Sequence, residues 1–489
     1  MPEQELIAAR KEKLARLRAC GINPYPYSFS RTHTAAELRQ AFGHLNPATH
    51  TGQGVAVAGR IMALRRMGRA TFADLHDRSG KIQIFLTPQT LGPEAYAFWV
   101  EHLDLGDLVG VRGEVFTTRT GELSVAAQEL VLLAKALRPL PEKWHGLRDV
   151  ETRYRERALD FLANPQSREI LIKRALILRT IRNYLDERGF IEVETPILQP
   201  IPGGASARPF VTHHNELDRD LYLRIAPELY LKRLLVGGLE KVYEIGRNFR
   251  NEGISSEHNP EFTALEAYEA YTDYQGMMEL AEGLIEACVL AVAGAPHLEY
   301  QGRMINFSRP WRRVPLLELV AEASGCDVEK PLPELLAELD RKGIPVPEHL
   351  RRGPKGKVIE HLLETCAEKD LWDPTFVLDY PLDISPLAKR KRDRPDLTER
   401  FELYIAGREV ANAFSELNDP EEQRERFLAQ ERLRAQGDEE AQRIDEDFLR
   451  DLELGMPPAG GIGIGIDRLT MILTNSPSIR EVLAFPLLR

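Results

Sequence analysis

The chain has 489 residues, which is too many for one compact core, so its length predicts at least two folded domains. Apolar residues make up 43% and charged residues 28%, a composition that is typical of globular proteins and excludes a disordered or fibrous chain. No apolar run approaches the roughly 18 residues of a membrane span, and the polar start lacks the apolar segment of a signal peptide. We therefore expect a cytoplasmic protein. Its net charge of −11 excludes non-specific coating of nucleic acid.

Residues 1–50 begin with a charge-rich stretch, ELIAARKEKLARLRA, whose apolar residues recur at helical spacing. Gly21, Pro24 and Pro26 follow it and end the helix. We interpret this part as an N-terminal helical extension that packs and is otherwise solvated.

Residues 51–140 contain five short segments of alternating apolar and polar residues, separated by glycines. This spacing predicts a five-stranded β-barrel, with the OB-fold as the leading candidate and another small barrel without a ligand as the alternative. Phe72 stands among Arg65, Arg66 and Arg69. A ring and several cations are what a protein uses to bind single-stranded nucleic acid.

A proline-flanked stretch, LRPLPEKWHG, predicts a linker over residues 141–155, after which residues 156–489 form a second, larger domain. In that domain a helix, RTIRNYLDERGF, runs into the β-rich IEVETPIL, which contains Pro196. This order is common, and by itself it indicates only packing.

A second segment, EKVYEIGRNFRNEGISSEHNPEFTALEAYEAY, predicts two strands joined by a polar loop. On the returning strand Glu266 and Tyr268 share one face, because side chains alternate along a strand. A buried carboxylate needs a cationic partner. A ligand with an ammonium group and an internal salt bridge both satisfy this requirement.

A third segment, GMPPAGGIGIGIDRLTMIL, has a glycine-rich strand followed by an apolar helix that carries Arg468. Glycines permit close approach of a ligand, and an arginine in the first turn of a helix can bind phosphate. The spacing is not that of a P-loop.

Together these three segments resemble the three signature motifs of class II aminoacyl-tRNA synthetases, in the same order and spacing. Six stretches narrow the resemblance to the lysine-specific, bacterial branch of that family. They are RIAPELYLKRLLVGG, NFRNEG, HNPEF, SPLAKR, NAFSELND and GIGIGIDR. It implies an α+β fold, with an anticodon-binding OB barrel and a catalytic domain built on an antiparallel sheet flanked by helices. It also implies a homodimer, formed through the segment that ends at Pro196.

The resemblance implies that Arg250 and Arg468 are catalytic and that ATP is a co-substrate. Arg250 would bridge the lysine carboxylate and the α-phosphate of ATP, which suits a planar guanidinium. Glu402 and Glu409 would hold Mg²⁺, a hard cation that prefers oxygen ligands, although a solvated acidic face is the alternative. The remaining ATP-binding residues would be Glu252 at the adenine amino group, Phe262 under the ring, and His258 and Asn259 at the outer phosphates.

The amino-acid partner implied by the resemblance is lysine, and the polynucleotide is tRNA(Lys). Gly204 and Glu228 would meet the α-amino group, Asn412 the carboxylate, and Glu266, Tyr268 and Glu416 the side-chain ammonium. A pocket for aspartate would instead need positive charge. Three positions in the barrel match those that read the central uridine of the anticodon: Phe72, Gln83 and Glu122.

One position departs from the family pattern. Many relatives have a basic residue immediately before HNPEF, whereas this chain has Glu257. The change reverses a charge near the expected γ-phosphate, so Arg468 would carry more of the phosphate binding.

The sequence leaves three alternatives open. An aspartyl- or asparaginyl-tRNA synthetase has the same fold, but Glu266 and Glu416 argue against it. A paralogue that modifies a protein with lysine-type groups would lack the barrel. An inactive RNA-binding scaffold would not need the arginines and the metal carboxylates.

Overall fold

The computed structural model of the chain describes residues 3–140, 147–438 and 440–488. The chain folds as two units, Met1–Leu147 and Arg148–Arg489. Residues 141–146 of the predicted linker lie outside the described residues, and the rest of it includes a helix that belongs to the second unit. The bounds that we predicted for the domains remain predictions.

The first unit is a closed five-stranded barrel with the strand order β1-β2-β3-β5-β4. Its interior is apolar, with Ile84, Val111 and Val125 fully buried, because alternate residues of each strand point inward. The predicted N-terminal helix is present, and its Leu17 belongs to the barrel core. The elements are α1 (Glu3–Ala19), α2 (Ala35–Phe42), β1 (His50–Met67), β2 (Ala70–Asp77), β3 (Gly80–Leu86), α3 (Pro88–Leu91), α4 (Pro93–His102), β4 (Leu108–Thr117) and β5 (Leu123–Ala134).

The first part of the second unit contains helices and strands that lead into the central sheet. These elements are α5 (Val150–Arg155), α6 (Arg157–Ala163), α7 (Pro165–Asp186), β6 (Ile191–Glu192), β7 (Leu198–Gln199), β8 (Val211–His214), β9 (Arg219–Leu223), α8 (Glu228–Val236), β10 (Lys241–Phe249), β11 (Glu261–Ala270) and α9 (Tyr274–Ala293).

The remaining part completes the sheet and covers it with further helices. Its elements are β12 (His297–Tyr300), β13 (Arg303–Asn306), β14 (Arg312–Pro315), α10 (Leu316–Ser324), α11 (Leu332–Lys342), α12 (Glu348–Arg351), α13 (Lys355–Leu362), β15 (Thr375–Leu378), β16 (Arg400–Tyr404), β17 (Glu409–Ser415), α14 (Pro420–Ala435), α15 (Glu446–Leu452), β18 (Ala459–Gly465), α16 (Ile466–Leu473) and α17 (Ile479–Val482).

The sheet of the second unit has eight strands in the order β14-β15-β16-β17-β18-β11-β10-β6. Its central pairings are antiparallel, but the pair at each edge, β14 with β15 and β10 with β6, is parallel. The α+β prediction is therefore confirmed, while the sheet is mixed rather than wholly antiparallel. The edge strands join through long connections that include helices, which parallel pairing requires.

One face of the central sheet forms the main core of this unit, and the other does not. Tyr243, Leu265, Ile462, Ala411 and Phe401 pack into the main core together with helices α7 and α9. Their sequence neighbours point to the opposite face, since side chains alternate along every strand. None of the helices in the described ranges is both long enough and apolar enough to cross a membrane.

Candidate functional site

A cavity of about 420 Å³ lies on the face of the central sheet that is opposite α7 and α9. The strand register builds its floor. Glu266 on β11 pairs with Gly463 on β18, which pairs with Asn412 on β17, and Asn412 pairs with Glu402 on β16. Because directly paired residues share a face, three polar side chains surround a position that has none.

A second row of paired residues runs beside the first. It joins Tyr268, Gly461, Phe414 and Arg400 on the same four strands. Both rows therefore have glycine at their centre. A glycine strand in the middle of a sheet removes side chains where a ligand needs room, and it leaves polar groups on both sides.

The cavity brings together almost all residues that the sequence predicted for ATP, lysine and metal. The exception is Glu416, which is 1% exposed and does not line the cavity. The individual roles of these residues remain predictions. The predicted residues on its lining are Gly204, Glu228, Arg250, Glu252, His258, Asn259, Phe262, Glu266, Tyr268, Glu402, Glu409, Asn412 and Arg468.

Lys232, which the sequence analysis did not single out, dominates one end of this region. Its ammonium nitrogen lies 2.7 Å from Glu228 Oε1 and also contacts Glu416 Oε2. The side chain is 0% exposed. The internal salt bridge that we considered for a buried carboxylate is thus present, but at Glu228 and Glu416.

Gly204 closes over Glu228 in a backbone conformation that favours glycine, with φ +85°. A Cβ atom there would lie 2.9 Å from the Cβ of Glu228. The residue must therefore be glycine for both steric and conformational reasons.

Glu266 and Tyr268 are buried side by side, and the Tyr268 hydroxyl donates a 3.0 Å hydrogen bond to Glu266 Oε2. Burial, followed by the negative charge of Glu228, raises the pKa of Glu266 to about 8. The carboxyl group is therefore poised to ionise when a cation arrives.

The other end of the cavity carries the residues predicted for the nucleotide. The Arg250 guanidinium lies over the Phe262 ring at 5.1 Å from its centroid. Arg250 Nε and Asn259 Oδ1 are buried and have no hydrogen-bond partner among the described residues. Buried polar atoms normally have partners, so these two atoms indicate that a ligand completes the site.

Arg468, on the first turn of α16, donates to Glu409 Oε2 at 3.1 Å and lies 3.2 Å from His258 Nε2. Partial desolvation, followed by the charge of Arg468, lowers the pKa of His258. At neutral pH the imidazole is therefore neutral, and Arg468 supplies the positive charge that can meet a phosphate.

The two predicted metal carboxylates, Glu402 and Glu409, both line the cavity. Glu402 accepts hydrogen bonds from Tyr380 at 2.8 Å and Tyr404 at 2.7 Å, and from Arg400 at 2.6 Å. Burial, followed by the charge of Glu409, raises the pKa of Glu402 to about 7. A divalent cation would relieve this repulsion, so the pair fits such an ion. In the parts of the chain that the structure describes, no three metal-ligating side chains gather into a protein-only site.

Glu257, the departure from the family pattern, is compensated within the structure. Arg408 lies 3.0 Å from its carboxylate and also donates a 2.9 Å hydrogen bond to the Tyr300 hydroxyl. The negative charge near the expected γ-phosphate is therefore neutralised locally.

The barrel brings its three predicted residues to one outer face. Phe72 on β2 pairs with Phe85 on β3, and Gln83 lies two residues before Phe85 on β3. Gln83 in turn pairs with Ser124, which lies two residues after Glu122. Gln83 Oε1 is buried without a partner among the described residues, so an edge acceptor is available there.

The same barrel face carries rings that the sequence analysis missed. Phe72 and Phe85 have centroids 4.8 Å apart, Phe85 and Phe116 5.5 Å, and Phe116 and His50 5.2 Å. The four rings form one cluster, in which Phe116 is buried while Phe72, Phe85 and His50 are accessible. Accessible rings are the groups on which unpaired bases stack.

Both units of the chain match known protein families. Residues 149–489 match the family described as class II tRNA synthetases (D, K and N), and residues 55–133 match the OB-fold nucleic acid binding domain. The chain belongs to the class II tRNA synthetases.

Relatives of this synthetase match it from end to end. A lysine–tRNA ligase of Carboxydothermus hydrogenoformans is 56% identical over 99% of this chain and 98% of its own length. Proteins of the same name from Pelotomaculum thermopropionicum and Azoarcus are 55% and 50% identical, and the matches cover 95% and 97% of their lengths.

Two further residues of the synthetase site carried a signal that sequence analysis can use. Lys232 follows Glu228 by four positions on helix α8, a spacing that places a glutamate and a lysine on one face. Arg400 lies two residues before Glu402 on one strand face, and its Nε donates to Asn412 Oδ1 at 3.0 Å. This bond leaves the amide N–H groups of Asn412 as donors for a carboxylate.

We predict that Gly461→Ala weakens lysine binding by at least about tenfold, because small misplacements in a preorganised site are costly. The new Cβ would lie 2.0 Å from Glu416 Oε1 and 2.5 Å from the Tyr268 ring, so both side chains must move. Isothermal titration calorimetry with lysine, and separately with ATP, measures the effect, and ATP affinity should change little.

Gly463→Ala is the matched control for stability. Its Cβ would meet Glu266 Cγ only at 3.8 Å, so the melting temperature should stay near that of the wild type, whereas that of Gly461→Ala should fall. Unchanged lysine affinity in Gly461→Ala would contradict the prediction.

Proposed function

We propose that this synthetase is a lysine–tRNA ligase, which joins lysine to tRNA(Lys) at the expense of ATP. The observation that carries the proposal is the acidic end of the cavity, where Glu228 and Glu266 lie in the lining and Glu416 is buried beside them. The full-length similarity to relatives named lysine–tRNA ligase supports it. Because tRNA, lysine and ATP meet in the cytosol during protein synthesis, we place the enzyme there.

In the first step a lysine carboxylate oxygen attacks the α-phosphorus of ATP. A bond forms between the two, the bond to the β-phosphate oxygen breaks, and pyrophosphate leaves lysyl-adenylate behind. The carboxylate is already a nucleophile, so no side chain needs to remove a proton. Arg250 would align the two reactants and neutralise charge that develops on the α-phosphate.

In the second step a ribose hydroxyl of the terminal adenosine of tRNA attacks the carbonyl carbon of the adenylate. An ester bond forms, the bond between the carbonyl carbon and the phosphate oxygen breaks, and AMP leaves while the hydroxyl proton is released. Glu252 and Phe262 would hold the adenine of ATP, while His258, Asn259 and Arg468 would hold its outer phosphates.

Recognition of the amino acid would use charge at both ends. Glu228 and the backbone of Gly204 would meet the α-ammonium group, and Asn412 the carboxylate. Glu266, Tyr268 and Glu416 would enclose the side-chain ammonium. An aspartate or asparagine side chain would bring no cation to these carboxylates, and leaving buried polar groups unpaired can reject an analogue by ~10⁴ or more.

We propose Mg²⁺ as the divalent cation of this site, held by Glu402 and Glu409 together with phosphate oxygens of ATP. Two carboxylates and a substrate phosphate are a usual set of magnesium ligands. The ion would supply charge neutralisation at the phosphates.

The outer face of the barrel would bind the anticodon. Phe72 would stack on the central base, and Gln83 and Glu122 would hydrogen-bond to its edge. The partly exposed Phe85 ring, whose centroid is 4.8 Å from that of Phe72, supports this assignment because it extends the stacking area.

We propose a homodimer formed through the segment around Pro196. Ile191 is 48% exposed, Ile197 45% and Leu198 48%, and Val211 on the neighbouring small sheet is 59% exposed. Clusters of exposed apolar side chains are typical of protein interfaces.

The proposal is tested by amino-acid-dependent ATP–pyrophosphate exchange across all twenty amino acids. We expect exchange with lysine alone, loss of it in EDTA and recovery with Mg²⁺. Glu416→Gln should raise the KM for lysine by about tenfold or more, as removal of a hydrogen bond to a charged group does.

Glu431→Gln, on the exposed side of α14, is the matched control and should behave like the wild type. Exchange with aspartate or asparagine would assign the enzyme to the neighbouring specificity, and no exchange with any amino acid would identify a scaffold.

Phe72→Leu should raise the KM for tRNA(Lys) in aminoacylation by roughly fivefold or more, since stacking on one base contributes about 1–3 kcal/mol. Lysine-dependent exchange should not change, because it needs no tRNA. Tyr27→Leu, at a fully exposed ring of the same unit, is the control. Equal KM values for tRNA in the two variants would remove Phe72 from the anticodon surface.

The double variant Ile197→Asp/Leu198→Asp should convert a dimer into a monomer, measured by size-exclusion chromatography with light scattering. Charges at a buried interface cost more than a dimer contact of this kind can supply. Leu454→Asp, which changes a 79% exposed leucine elsewhere, should remain dimeric. A monomeric wild type would refute the proposed interface.

A further inference from the structure

Lys232 occupies a position that the reaction described above does not explain. Its side chain is 0% exposed, and its ammonium group lies between the carboxylates of Glu228 and Glu416. The Phe414 ring centroid is 5.3 Å from the nitrogen. A lysine buried this completely is stable only when its charge is compensated, and here two carboxylates do so.

The contacts use one oxygen of each carboxylate. Lys232 binds Glu228 through Oε1 and Glu416 through Oε2. Glu416 Oε1 is buried and has no hydrogen-bond partner among the described residues. It lies next to Gly461, whose Cβ position would be 2.0 Å away, and Gly461 lines the cavity. An unpaired carboxylate oxygen beside the cavity indicates that a donor from a ligand completes it.

The net charge of the three buried carboxyl groups together with Lys232 matches the charge of the substrate's ammonium groups. Glu228, Glu266 and Glu416 are three carboxyl groups, and Lys232 offsets one of them. Two negative charges then remain when all three are ionised. The amino acid of the proposed function carries two ammonium groups at this end of the site, its α-amino group and its side chain.

We propose that Lys232 is a positioning residue that determines specificity for a diamino acid. It holds one oxygen of Glu228 and one of Glu416, and it leaves the other oxygen of each for the two ammonium groups of the substrate. This inference rests on the proposed function and names the residue that sets the charge of its amino-acid site.

The pH dependence of lysine binding follows from the same contacts. The charge of Lys232 lowers the pKa of Glu228 and of Glu416, which burial raises. Without Lys232 both pKa values rise, so more of each carboxyl group is protonated at a given pH and lysine binds less. Affinity then recovers only at higher pH. The other charged or titratable groups that act on Glu228 or Glu416 are Glu266, Tyr268 and Arg400, while Arg224 and Arg250 act on Glu266.

The test compares the wild type with Lys232→Met, which keeps the length and apolar character of the stem but removes the charge. In ATP–pyrophosphate exchange we expect the KM for lysine to rise by at least about tenfold, as loss of a charge-assisted contact does. The kcat and the KM for ATP should stay within about threefold, because the nucleotide end is untouched. The profile of 1/KM for lysine against pH should move to higher pH.

A double-mutant cycle separates positioning from simple structural support. If Lys232 acts by holding Glu228 and Glu416, Lys232→Met should raise the KM for lysine less in the Glu416→Gln background than in the wild type, because only the contact with Glu228 is then left to lose. If Lys232→Met alone does not fold, Glu416→Gln and the double variant carry the test. A rise of less than about tenfold from Glu416→Gln to the double variant supports the proposal, and a rise of about tenfold or more, as expected for Lys232→Met alone, overturns it.

Lys135→Met is the matched control. Lys135 is another lysine of 0% exposure held by two carboxylates, Asp104 at 2.6 Å and Asp107 at 2.7 Å, but it lies in the barrel. The Lys135→Met substitution should lower the melting temperature without changing the KM or the pH profile for lysine.

An unchanged KM for lysine in Lys232→Met, or an equal rise of the KM for ATP, would overturn the inference and leave the proposed function standing. Absence of lysine-dependent exchange in the wild type would overturn the proposed function instead, and this inference with it.

Discussion

The site depends on one constraint, the strict alternation of side chains in four antiparallel strands that pair in register. Residues 401, 403, 411, 413, 462, 464, 265 and 267 enter the core with α7 and α9, so their neighbours must face the other way. On that other face the central strand, β18, supplies glycine where its neighbours supply a carboxylate, an amide and two rings. The cavity is thus a product of register. A shift by one residue would place its polar groups in the core.

The electrostatics of the site follow from this burial. Carboxyl groups that are buried at the wall of the cavity lose hydration, which raises the pKa of Glu266 to about 8 and of Glu402 to about 7. The ionised form of each such carboxyl group is stabilised when a cation approaches it. The two acidic regions differ in what satisfies them. At one end a lysine of the protein already takes part of the charge, whereas at the other Arg400 and Arg468 bind the two carboxylates that fit a divalent ion.

Much of this arrangement could be predicted from the sequence because it is local. The alternation in the barrel, the two strands around the polar loop and the glycine strand before α16 are all patterns within short windows, and the structure confirms them. Ring stacking on the barrel was only partly predictable. Phe72 stood out through its basic neighbours, but Phe85 and Phe116 join it only through the pairing of three different strands.

What could not be predicted depends on long-range contacts. The parallel pairing at both sheet edges is set by where the connecting helices pack, not by strand composition. Arg408 neutralises Glu257 across a large separation in sequence, and no local rule pairs them. Lys232 was in part accessible from its spacing to Glu228, yet its contact with Glu416 required the folded sheet.

The glycine strand also limits how the specificity of this enzyme can be redesigned. Gly461 and Gly463 already have the smallest side chain, so any substitution at these two positions can only subtract volume from the cavity. A longer or bulkier amino acid must gain its room from the flanking strands, where Tyr268 and Phe414 are the large side chains beside Gly461. Libraries for unnatural lysine derivatives would therefore truncate Tyr268 or Phe414 and keep both glycines.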